Sequence, residues 1–184
     1  MESRAKLQIV TAVWGRWHID AFLNINLPTL LAPGNFPVLA KTCDIHYVIY
    51  TNRHDQAELK ESTIISVLSL LMTVEIRLLE DHVLMDPIAA HHLAWERATD
   101  EAKKAGSFIL MMPPDVAWAD RSFGNVGHLL SEGYRAIFMT YLRAEENSFS
   151  ATLGMERKSG DGSLSISSDR MVELCINCLH PLMA

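Results

Sequence analysis

The segment Phe108-Ile-Leu-Met-Met112 is a short, unbroken apolar run that stops at Pro113-Pro114. A run of this length without polar alternation is the pattern of a strand buried on both faces, as in parallel sheets. Each proline lacks a backbone donor, so the ladder is expected to end there. Asp115 would then stand just beyond the end of a buried strand. In open α/β sheets that rim is where ligands bind. A carboxylate held there must be solvated, paired or bound to a cation.

Runs of similar character recur upstream at 7–13, 45–50 and 74–79, and 134–142 reads as a further strand. Between them lie stretches of helical character. Residues 19–31 carry Pro28 as a kink or stop, 32–37 form a loop, and 56–70 are helical. Asp86 is placed as an N-cap, Pro87 as the first helical residue, and Gly106 just past the last turn. On that helix Ile88, Trp95, Ala98, Ala102 and Ala105 form a stripe, with His91 and His92 beside its upper part. A helix over 122–132 is stopped by Gly133, and Ser168 or Asp169 caps a last helix that runs through 179.

Strands alternating with helices predict βαβ units. The expected fold is α/β: one three-layer domain with a mostly parallel sheet flanked by helices. Its core spans 7–146, followed by a Gly/Ser-rich mobile loop at 147–168 and a C-terminal helix at 169–184. In a βαβ unit each helix starts where the preceding strand ended. The opening turns of the Asp86 helix should therefore share a rim with Asp115, with 11–15, with 51–55 and with 143–146.

The net charge of −6 argues against binding a nucleic-acid polymer. The apolar stretches are too short and interrupted for a transmembrane segment. Three cysteines do not suggest a disulfide scaffold. The first residues lack the apolar region of a signal peptide, so the expected location is cytoplasmic. Cys175-Ile-Asn-Cys178 with His180, and Cys43 as a distant fourth ligand, has part of a zinc-site spacing. The pair also shares one face of an amphipathic helix, where buried thiols are the commoner explanation.

The order of elements resembles the GT-A class of nucleotide-diphospho-sugar transferases, closest to the bacterial family-2-like glycosyltransferases. The resemblance rests on Ile9-Val-Thr-Ala-Val-Trp-Gly15, the strand ending in Thr51-Asn52, the Asp86 helix, and 108–116 with the helix after it. It implies a nucleotide-diphospho-sugar donor and an acceptor that the sequence does not name. Thr11, Ala12, Trp14 and Gly15 would line the nucleoside pocket, with Asn52 or Asp55 near the base. His91 or His92 would approach the diphosphate, helped by Arg143.

In that family an Asp-x-Asp motif holds a divalent metal, Mn²⁺ or Mg²⁺. Asp115 matches its second aspartate, whereas Pro113 stands where the first would be. Glu145 and Glu146 are the candidate bases for an acceptor hydroxyl. The departure at Pro113 equally fits a domain that binds a nucleotide sugar without turning it over. A zinc-stabilised interaction module is a third reading.

Overall fold

The structure is a computed structural model and describes residues 4–140, 142–156 and 162–183. In chain order its first elements are β1 (Ala5–Ala12), α1 (Arg16–Ala21), a π-helical turn (Phe22–Asn26), α2 (Leu27–Leu30), α3 (Phe36–Thr42) and β2 (Cys43–Thr51). There follow α4 (Gln56–Glu61), α5 (Thr63–Ser69), β3 (Thr73–Leu78), α6 (Pro87–Ala105) and β4 (Phe108–Met111). The last are α7 (Ser122–Ser131), α8 (Glu146–Met155), α9 (Ser168–Asn177) and a 3-10 turn (Pro181–Met183). The chain forms two compact units. Met1–Asn26 with Ala40–Val116 make the first, and Leu27–Leu39 with Ala117–Ala184 make the second.

The first unit is α/β, a parallel four-stranded sheet in the order β3-β2-β1-β4, flanked by helices. Leu7 stands opposite Ile45 on one side and Phe108 on the other. The chain steps from β1 to β2 to β3 in one direction, then returns past β1 to reach β4. Right-handed crossovers put α6 on the opposite face from α4 and α5.

On the α6 face, Val10, Ala12, Val48, Tyr50 and Leu79 pack against Ala90, Ala94 and Ala98. Ala102 completes this i, i+4 row of buried alanines. The stripe is thus rotated from the one expected, with Ile88 70% exposed. The physical reason is size: a row without side chains beyond Cβ lets the helix lie close on the strands. Glu101 ties the lower end down by accepting from Gln8 Nε2 (3.2 Å) and from Arg77 (2.6 Å). The expected caps are present. The Asp86 carboxylate accepts from the Ile88 and Ala89 amides at 3.0 and 3.2 Å, and Gly106 takes the left-handed conformation at φ 63°.

Three expectations need correction. β4 was expected to be buried on both faces, yet among the described residues it pairs only with β1, and Met111 is 44% exposed. Residues 134–140 and 142 form no strand, and Phe138 is 93% exposed. High β-propensity reports fit to a half-buried pleated surface, and without such a surface it does not make a strand. The loop expected at 147–168 instead opens with α8, capped by Glu145 through the Asn147 and Ser148 amides. The centre of that loop, 157–161, lies outside the described residues.

Smaller shifts follow from local chemistry. α3 starts inside the expected 32–37 loop, since Pro37 is tolerated in a first turn where its missing donor is not needed. Ser167, one residue before the expected cap, accepts from the Arg170 amide and starts α9.

The second unit has no strand among its described residues beyond a single antiparallel bridge between Ala144 and Leu179. Buried Asn35 holds it together, donating to the carbonyls of Thr29 (2.8 Å) and Ala119 (3.1 Å) and accepting from the Phe123 amide (3.0 Å). Asp120 accepts from the Gly34 amide (2.7 Å) and from Ser165 Oγ (2.9 Å). Phe123 packs edge-on between Phe36 and Trp118, each ring centroid 5.1 Å away.

Candidate functional site

The site forms where strand direction reverses, outside the carboxyl ends of β1 and β4. This switch point is the crevice that parallel sheets use for ligands, because two loops diverge there and leave an opening. β1 delivers Trp14 and Gly15, β2 delivers Asn52 and Asp55, β4 delivers Asp115, and α6 brings His91 and His92. α1 adds His18, which sequence reasoning missed.

Gly15 has φ 82°, a conformation that disfavours any side chain. Its amide donates to Asp55 Oδ2 at 2.6 Å. Asp55 is buried, and the same oxygen accepts from Asn52 Nδ2 at 2.9 Å, while the Asp55 amide donates back to Asn52 Oδ1 at 2.7 Å. Asn52 and Asp55 thus brace the turn after β1, which carries Trp14. That bracing occupies the groups the resemblance assigned to the base.

Trp14 leans over His91 with ring centroids 5.0 Å apart and planes tilted by 37°. Trp95, one helical turn on, lies 6.1 Å from His91 and 6.0 Å from His92. His91 is half-buried while His92 is exposed. Burial pushes the His91 imidazole below its ordinary pKa, the charges of His18 and His92 push it the same way, and Asp115 pulls it up. Asp115 therefore acts electrostatically on the second turn of α6, as the βαβ argument required.

Asp115 is exposed, and the loop that carries it is clamped from beneath. Asn26, enclosed at the end of the π-helical turn, donates to the carbonyls of Pro113 (3.1 Å) and Val116 (2.8 Å). One amide so fixes the backbone on both sides of Asp115. The sequence did carry a signal: Asn26 is a polar side chain set between Ile25 and Leu27 in an otherwise apolar helix.

The remaining candidates are placed elsewhere. Thr11 and Ala12 are buried, and the Thr11 hydroxyl is engaged by Tyr47 Oη (2.7 Å) and the Met112 carbonyl (3.1 Å). They belong to the sheet core and do not line an opening. Arg143, Glu145 and Glu146 belong to the second unit, and no strand precedes them among the described residues. Arg143 accepts at its carbonyl from the His180 amide (2.9 Å). Glu145 is engaged by the Ser148 hydroxyl and the Asn147 and Ser148 amides, which pull its carboxyl down to about 2. A carboxylate so stabilised is a weak base. Glu146 is exposed in the first turn of α8.

The donor set does not make a resident metal site. Among the described residues no group of three or more His, Cys, Asp or Glu side chains is placed to hold a metal ion. Asp115 supplies one carboxylate and Pro113 supplies none, whereas Mg²⁺ demands an octahedron of oxygens. The cysteines are buried free thiols, and burial raises Cys175, which keeps it protonated. The amides of Ile88 and Ala89, the donors an anion would seek at the start of α6, are already taken by Asp86. Anion recognition at this rim is left to the imidazoles.

No protein-family model, curated protein or solved structure matches the chain. No helix among the described residues is long and apolar enough to cross a membrane.

Proposed function

We propose that the chain binds a nucleotide-diphospho-sugar at the β1/β4 rim and acts as a GT-A-like glycosyltransferase. The observation that carries this reading is the meeting of an indole, a pair of imidazoles and an acid at the sheet's switch point: Trp14, His91 with His92, and Asp115. Each has a task that suits its chemistry. The Trp14 face offers a platform for a base or a sugar ring. His91 and His92, when protonated, neutralise charge that builds on the departing diphosphate. Asp115, clamped through its backbone, accepts from a ribose or sugar hydroxyl. No step is assigned to a metal, because the residues do not assemble one.

Calorimetric titration with UDP-glucose and other sugar nucleotides, with and without Mn²⁺, tests the binding. Asp115→Ala and Trp14→Ala should each weaken it by about tenfold or more, as loss of one charged or stacking contact does. If no sugar nucleotide binds under any condition, the reading is wrong. A non-catalytic binding domain is the second reading, favoured by the single carboxylate at the rim. Binding without any release of free nucleotide over hours would select it.

A further inference from the structure

The rim holds an imidazole between two indoles, with two more imidazoles within electrostatic range. His91 is flanked by Trp14 at 5.0 Å and Trp95 at 6.1 Å. The charged and titratable groups acting on it are His18 from α1, His92 from its own helix and Asp115 from the loop after β4. Three imidazoles beside one carboxylate leave too little negative charge for all to be protonated in the empty rim. Partial burial further favours the neutral form of His91.

An arriving anion reverses this balance. It contributes the missing negative charge, and the indole faces favour a cationic ring over a neutral one. The helix amides that bind anions without protons are engaged by Asp86, so this route remains.

We propose that an anion of the phosphate class is held at this rim by His91 as imidazolium, and so binds together with a proton. This deepens the proposed function by assigning the diphosphate contact, and rests on that reading only for the identity of the ligand. The proton comes from solvent to the free ring nitrogen, so no co-reactant is needed. Binding should tighten as pH falls from 8 to 6, by up to about tenfold per pH unit for each proton taken up. His18 opposes protonation of His91, so removing it should move the window to higher pH.

The probes are UDP-glucose, whose diphosphate diester does not titrate in this range, and inorganic sulfate. Calorimetry in buffers of different ionisation enthalpy counts the protons, and ¹H–¹⁵N spectra of the imidazoles follow His91 itself. Uptake of about one proton per anion, lost in His91→Gln and shifted to higher pH in His18→Gln, is the expected result. Circular dichroism checks that both variants fold. Binding of either probe with no proton uptake, or uptake unchanged in His91→Gln, overturns the proposal, as does failure of both probes to bind. Sulfate binding with proton uptake while UDP-glucose fails would keep this inference and remove the nucleotide-sugar reading.

Discussion

In the sheet unit, backbone groups find partners in parallel ladders, and apolar side chains from both layers fill the space between α6 and the strands. In the second unit ladders are absent among the described residues, and buried polar side chains take over: Asn35 and Asp120 reach to backbone groups far away in sequence. The first solution spreads stability over many similar contacts. The second concentrates it in a few, each of which leaves a buried polar group unpaired when removed.

The sharpest way to break this comparison is Asn35→Ala. It strips partners from two carbonyls and one amide in an enclosed place, so a loss of about 3–5 kcal/mol is expected by urea unfolding. A loss below about 1 kcal/mol would mean that the amide is not what holds the unit. Next is Ala98→Leu on the buried row of α6, where added volume has no place to go. It should cost about 1–3 kcal/mol and should separate α6 from the strands. Its failure to destabilise would show that the helix does not lie close on the sheet.

Asp86→Ala removes the cap of α6 and should cost about 1 kcal/mol, while Asp86→Asn should restore most of it. The smallest effect concerns the α8 cap. Glu145 has a folded-state pKa of about 2, below its unfolded value, so its contribution is complete above the unfolded value and fades as pH falls toward 2. Glu145→Gln should flatten that part of the acid-unfolding curve. His91 works in the opposite sense. Its lowered pKa means the unfolded chain takes up the proton first, so acidification below about pH 6.5 costs stability. His91→Gln should relieve that cost, measured as denaturant midpoint against pH.

The same contrast explains what could be read in advance. Runs such as Ile45 to Tyr50 announce a buried strand through composition alone, and Asp86-Pro87 with Gly106 marks both ends of α6, because these signals are local. The rim was legible for the same reason, since a parallel βαβ unit dictates which ends meet. His18 obeyed that rule too and was overlooked beside the more conspicuous tryptophans. The stripe on α6 was misjudged because large side chains were counted as inward-facing, whereas the sheet selected the smallest. Residues 134–142 have the composition of a strand, but a strand also needs a neighbour, and that depends on the rest of the molecule. Asn35 and Asn26 were opaque for a related reason: their partners are 84 to 90 residues away for Ala119, Pro113 and Val116.

Asn26 grips the loop after β4 only through main-chain oxygens, at Pro113 and Val116. The side chain between those grips therefore has no part in its own placement. Position 115 behaves as a socket: histidine, cysteine or a synthetic chelating residue installed there would inherit the same perch above the crevice. New chemistry can be tried at that spot without rebuilding what supports it.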